Sequence, residues 1–334
     1  MKLKLLFLFL ALISSACLSP KERVTRPTLL KTEDASKEQL IAEIERLSRI
    51  GSIRARVDLK FEDNSFAEIG IGEKYRTADG EIVVQRPANI VLKVQLPVVR
   101  TDIAQMASNG TRFCVAILND GGDGRYKRFI CGSNDRDYSE LAKEVERIEN
   151  GKVIKKNVNA FVNLRPQHFT EAILVRPIST ESIYVQSEIF QEEFDLNAQK
   201  QSPLRWVLRG YYILDELQRE ADNNLRLTRR FWFDRVGGIR LARQQIFDYE
   251  GNLESDIVYG REGTLSNYAN MPLRIEVTRP KEKYRMSLTY QDPTGVSIGK
   301  SYPQSAFELK NNWNLPEIDL DKKLAEFHSG FRGK

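Results

Sequence analysis

The sequence predicts a mainly β protein with two or three helices, and three observations carry that expectation. After Gly51 the apolar period changes from helical to two: Val57, Leu59 and Phe61 alternate with Arg56, Asp58 and Lys60. Strand-length segments then recur at spacings of roughly 8–12 residues. Compact turn sequences such as Gly237-Gly238, Glu250-Gly251-Asn252 and Arg279-Pro280-Lys281-Glu282 separate many of them.

Taken in order, the first twenty residues read as an address. Met1-Lys2-Leu3-Lys4 is a short positive segment, Leu5 to Ile13 is apolar and uncharged, and Ser14-Ser15-Ala16 supplies small residues before Cys17. The apolar run is too short to span a bilayer, which takes about 20 residues, and so reads as a secretory signal. A cysteine after small residues resembles the lipobox of bacterial lipoproteins, although Ser14 stands where that motif usually has Leu. The resemblance implies acylation of Cys17 after removal of 1–16, and hence attachment to membrane lipid. A soluble secreted protein cut after Ala16 is the alternative. Residues 17–35 read as a flexible, proline-containing tether. Leu18, in place of the Asp that retains lipoproteins at the inner membrane, implies the periplasmic face of the outer membrane.

Ser36-Lys37-Glu38-Gln39 is a capping box, and Leu40, Ile41, Ile44, Leu47 and Ile50 follow at helical spacing, so a helix is expected over 37–49. Strand signals occupy Val57–Phe61, Phe66–Tyr75, Glu81–Arg86, Ile90–Leu96, Ile103–Ala107, Arg112–Leu118 and Arg125–Cys131. A hairpin centred between Gly122 and Asp123 sets Cys114 opposite Cys131. Those two residues are then either a disulfide or two buried thiols. Tyr138–Ile148 and Gln167–Val175 suit short helices, the second opened by Pro166 and stopped by Pro177. Strands are expected again at Ser182–Phe190, Leu204–Leu217, Leu225–Val236, Ile239–Tyr249, Leu253–Tyr259, Leu273–Thr278 and Tyr284–Tyr290. One domain over 36–325 is expected, with 326–334 as a polar tail.

Composition narrows the chemistry. The 334 residues carry a net charge of +5, or +3 once Lys2 and Lys4 leave with the signal, which does not argue for nucleic acid. Two His and three Cys, with no CxxC or HExxH, leave little for a metal site, and no cofactor is expected. His168 and His328 lack a carboxylate or Cys partner at a recognisable spacing. No GxSxG, SxxK or paired-carboxylate motif appears, so an enzyme is not expected. Gly121-Gly122-Asp123-Gly124 lacks the Lys-Ser/Thr of a phosphate loop and reads as a turn.

Several segments together resemble the LolA/LolB superfamily of periplasmic lipoprotein-handling proteins. The capped helix leads into Ser52-Ile53-Arg54-Ala55-Arg56-Val57. Gly80 to Pro87, then Ile90–Leu96 and Pro97, is similar to the family's strand, Arg-Pro, strand, Pro pattern. Met106 to Phe113 and Asn163 to Leu174 resemble its next strand turn and its short lid helix. The chain is longer than typical members, mainly between about 133 and 225. The resemblance implies an unclosed antiparallel β-barrel covered by helices, whose apolar hollow takes acyl chains of lipoproteins or other lipids. It implies a cavity wall of Leu92, Val94 and Leu96, with Phe169 and Ile173 from the lid, unless these are ordinary core. It also implies that Arg86 latches the lid, against the alternative of an exposed strand-end arginine. Pro97-Val98-Val99 is either a membrane-delivering loop or a buried turn. The aromatic clusters Phe231-Trp232-Phe233 and Trp206, Tyr211, Tyr212 read mainly as packing. An assembly lipoprotein binding an envelope protein partner is the rival function.

Overall fold

The computed structural model describes residues 26–63, 73–74, 78–96, 101–119, 124, 127–138, 166–195, 198–199, 202–282 and 284–331. Cys17, most of Phe66–Tyr75, Pro97-Val98-Val99, Gly121 to Asp123 and the expected helix beyond Tyr138 lie outside them.

The strands, in chain order, are β1 (Thr28–Leu29), β2 (Ser52–Asp63), β3 (Glu73–Lys74), β4 (Ala78–Gln85), β5 (Asn89–Gln95), β6 (Asp102–Asn109), β7 (Arg112–Ile117) and β8 (Arg128–Ser133). They continue as β9 (Ile183–Phe194), β10 (Trp206–Arg219), β11 (Leu225–Asp234), β12 (Arg240–Phe247), β13 (Leu253–Leu265), β14 (Tyr268–Arg279), β15 (Tyr284–Tyr290), β16 (Ser297–Ile298) and β17 (Glu317–Asp319). The helices are α1 (Lys37–Ser48), α2 (Pro166–Ile173) and α3 (Leu320–Phe331). The chain divides into a larger unit, 32–189 with 210–334, and a smaller one, 1–31 with 190–209.

In the larger unit two antiparallel meanders, β4 to β8 and β10 to β15, are joined through the N-terminal strand. β2 pairs with β4 through Ser52 to Leu59 on one side and with β15 through Val57 to Asp63 on the other. β17 adds to β8 in parallel. Among the described residues no ladder joins β17 to the far end of the sheet, so the sheet is open. The alternation that predicts the strands also sorts their faces. Val57 and Leu59 on β2, Ile82 and Val84 on β4, and Leu92 and Val94 on β5 all point into one core.

α1 forms where the capping box places it: the Ser36 amide donates to Gln39 Oε1 at 2.8 Å. Its buried stripe, Leu40, Ile44 and Leu47, has the 3–4 spacing of one helix face. Arg46, paired with Glu43, donates to the carbonyls of Ala269 and Asn270 at 3.2 and 2.9 Å and so ties the helix to the start of β14. α2 buries Phe169, Ala172 and Ile173, and Leu174 and Val175 continue the buried run. α2 touches β4, β5 and β6 and also β14, three ladders away from β4, so this sheet curls around the helix. A mainly β, unclosed, mostly antiparallel sheet with helices packed against it is the architecture the sequence predicts.

The C-terminal stretch differs from the expectation of a tail. α3 runs to Phe331 and buries Leu320 and Leu324, one helical turn apart. Asp319 caps it, accepting from the Lys322 amide at 3.1 Å. Asp321 accepts from Tyr138 Oη at 2.6 Å and Ser133 Oγ at 2.7 Å, fixing the helix to the end of β8. The close of the stretch read as tether is also bonded: the Glu33 amide donates to Arg235 O, and Asp34 pairs with the Arg235 guanidinium at 2.6 Å.

In the smaller unit, β1 lies parallel to the start of β10, with Thr28 opposite Val207 and Leu29 opposite Leu208. The end of β9 belongs to the same unit, where Glu193 pairs with Arg209 at 3.1 Å.

Candidate functional site

A cavity of about 310 Å³ opens between α1, the chain leaving α2, and strands β12 to β14. Its apolar lining comes from Leu47 and Ile50 at the end of α1, Ile173 and Val175 after α2, and Leu241, Tyr259, Met271 and Pro272 from the sheet. Glu43, Arg240, Arg261 and Glu262 also line it. Glu43 holds Arg46, while Arg240 bridges Asp234 at 2.6 Å and Glu262 at 2.8 Å.

The wall segment 172–177 is fastened by side chains from three strands. Arg86, at the exit of β4, donates to Val175 O at 2.6 Å and to Ile50 O at 3.2 Å. Val175 and Ile50 both line the cavity, so one guanidinium clasps its two sides. Tyr259 Oη donates to Ala172 O at 3.2 Å, and burial pushes the Tyr259 hydroxyl pKa far up, so it remains a neutral donor. Arg229 on β11 donates to Arg176 O at 3.1 Å and Pro177 O at 2.9 Å.

Arg229 is itself buried against Glu216 of β10, and Tyr184 Oη donates to the same carboxylate at 3.0 Å. Burial alone would raise the Glu216 pKa, but the Arg229 hydrogen bond and charge, with Tyr184 and Ser182, hold it below the ordinary carboxylate value. Sequence reading did not single out Arg229, Glu216 or Tyr259. Each sits among strand residues whose alternation shows which face they occupy but not which carbonyl they reach.

The residues predicted as site fall in different places. Ile173 lines the cavity. Leu92, Val94 and Phe169 are buried in the main core and do not line it, while Leu96, just past the end of β5, is 37% exposed. The physical reason is α2 itself: it is seated against β5, and Phe169 joins Leu92 and Val94 in one buried cluster. Cys114 and Cys131 are register partners on β7 and β8, joined by a disulfide. His168 is buried with Nδ1 3.2 Å from Tyr284 Oη. No group of three or more His, Cys, Asp or Glu suited to a metal occurs among the described residues. Nor is any helix there long and apolar enough to cross a membrane.

No family model matches the chain, and no curated protein matches it. Solved structures to which the chain is similar include three, all at low identity. A LolA superfamily protein from Nitrosomonas europaea gives a TM-score of 0.40 at 10% identity, covering 83% of this chain and 99% of that one. A DUF1329 family protein from Desulfovibrio piger gives 0.38 at 10% identity, covering 81% and 95%. A domain described as an outer membrane lipoprotein-sorting protein, from Vibrio parahaemolyticus, gives 0.40 at 9% identity, covering 81% and 95%.

Proposed function

We propose that this chain is an envelope protein, anchored by an acylated Cys17 at the periplasmic face of the outer membrane, that receives or transfers acyl chains of lipoproteins or other lipids without covalent chemistry. The observation that carries this reading is the cavity of about 310 Å³, lined by apolar and polar side chains in similar measure and clasped by Arg86. That volume is at the lower end of small-molecule sites, and it suits part of one acyl chain in the closed state. Apolar burial contributes about 25 cal/mol per Å² removed from water and requires no polar recognition. Widening the cavity means releasing the carbonyls of 172–177 from Arg86, Tyr259 and Arg229, which gives the 166–177 segment the role of a lid.

A second reading has its own support. Phe169 of α2 is buried in the main core with Leu92 and Val94, and a filled core there favours an assembly lipoprotein that uses the same fold to hold an envelope protein partner. Native mass spectrometry of the unlipidated Cys17→Ser chain, purified from the periplasm, separates the two. Co-purified acyl species, or uptake of added fatty acid, are expected. A clean unliganded mass that takes up no lipid would overturn the acyl-binding reading in favour of the partner-binding one.

A further inference from the structure

The smaller unit carries an apolar sheet face that the cavity does not use. On β9, Phe190 and Phe194 share a face by the two-residue alternation, and both are exposed, at 46% and 63%. Phe194 stacks on Trp206 of β10, with ring centroids 5.3 Å apart and planes 13° from parallel. Trp206 and Leu208 alternate onto that same face, and Leu29 of β1, 64% exposed, stands opposite Leu208 in the ladder. Five large apolar side chains from three strands thus share one half-open surface. The opposite face of β9 and β10 is polar where Glu193 meets Arg209.

We propose that this face rests on the lipid bilayer that bears the N-terminal anchor. The argument for that occupant is the chain leading into it. β1, which contributes Leu29, starts only eleven residues after Cys17, and a fully extended chain of that length reaches at most about 40 Å. Aromatic side chains with a polar handle favour the headgroup level of a membrane. Trp206 has such a handle, its indole Nε1 donating to Glu192 Oε2 at 3.2 Å. The Glu192 carboxylate, on the same face, keeps the contact shallow, since a charge is costly to carry into hydrocarbon. Contact of this kind is weak alone and supplements the lipid anchor. The choice of occupant rests on the anchoring part of the proposed function and is independent of the cavity.

The test uses the mature chain with Cys17→Ser, which removes acylation, and vesicles of phosphatidylethanolamine and phosphatidylglycerol with or without brominated acyl chains. Vesicle flotation of this unacylated chain is expected, with brominated-lipid quenching of tryptophan fluorescence that disappears in Trp206→Phe. Phe190→Ser combined with Phe194→Ser, on exposed positions, is expected to weaken flotation at least about tenfold while thermal unfolding is unchanged. Flotation that is absent, or undiminished in the double variant, overturns the proposal. So does a dimer in sedimentation that the same two substitutions dissolve, because a second copy would then be the occupant. Mass analysis of the native N-terminus is read separately. A Cys17 without lipid overturns the anchor but leaves a vesicle-binding face standing.

Discussion

The Arg86 guanidinium donates to the carbonyl of Val175 across 2.6 Å, and its Nε reaches Ile50 O at 3.2 Å. The α1 exit and the α2 exit, separate in sequence, are thereby closed over one cavity by a single side chain. Burial draws the Arg86 pKa below its ordinary value, yet arginine stays charged at physiological pH. Hydrogen bonds from charged donors contribute about 1.5–3 kcal/mol. Arg86→Ala is therefore expected to cost about 2 kcal/mol in urea unfolding and to speed amide hydrogen exchange across 172–177. Arg86→Lys, with one point donor for two carbonyls, should fall between. Unchanged exchange over 172–177 in Arg86→Ala would show that Tyr259 and Arg229 hold the segment unaided.

The buried Glu216–Arg229 pair makes a prediction in pH. Glu216 titrates below its unfolded value near 4.5, so its ionisation stabilises the fold fully above that pH. That contribution is lost as pH falls through the lowered folded-state pKa. Wild type is expected to lose stability below about pH 4.5 more steeply than Glu216→Gln. The variant itself should be less stable at pH 7 by about 3–5 kcal/mol, because the Arg229 charge is left buried without its carboxylate. Parallel stability–pH curves for the two proteins in urea would rule the coupling out.

Gln244 makes a prediction of opposite sign. It lies fully buried on β12 between Phe231 and Ile257, its register neighbours on either side. Neither amide atom has a hydrogen-bond partner among the described residues. An unsatisfied buried polar group costs about 1–3 kcal/mol. Gln244→Leu is expected to raise the urea midpoint accordingly. A lowered midpoint would mean that the amide is bonded in solution.

How much of this was legible beforehand follows from what kind of pattern each feature leaves. The period-two segments placed β2, β4 to β8 and β10 to β15, because half-burial writes itself into alternation. Ser36 and Gln39 marked the start of α1, and Pro166 and Pro177 bracketed α2. The cavity was not legible. Leu47, Ile173, Leu241 and Met271 come from four separate elements, and no local signal says that their packing leaves a gap. α3 could have been found from Asp319 as cap and the spacing of Leu320, Leu324, Phe327 and Phe331, but charged residues between them lower the mean hydropathy and hide the stripe. Leu92 and Val94 were correctly apolar and inward, yet inward meant core, since period two gives the face and not what lies across from it.

The Cys114–Cys131 link joins register partners of β7 and β8 across a sequence separation of 17. Restricting a loop of that size contributes about 3 kcal/mol in the chain-entropy model. The double variant Cys114→Ser with Cys131→Ser should lose about that much in urea. Protein folded under oxidising conditions should titrate with neither of these two thiols. Two reactive thiols in the native protein would show the pair to be unlinked.

The cavity and the core beside it call for opposite outcomes from two substitutions. Ile173→Trp adds bulk where Ile173 borders the open volume, so it should take up the space a guest needs. Binding of a fluorescent fatty acid is expected to fall at least about tenfold, with a stability change within the 1–3 kcal/mol typical of overpacking. Val94→Ala removes core side chain away from that volume. It should cost about 1–3 kcal/mol of stability and leave fatty-acid binding intact. If Val94→Ala abolishes binding and Ile173→Trp does not, the guest enters beneath α2 after all, and Phe169 must swing out to admit it.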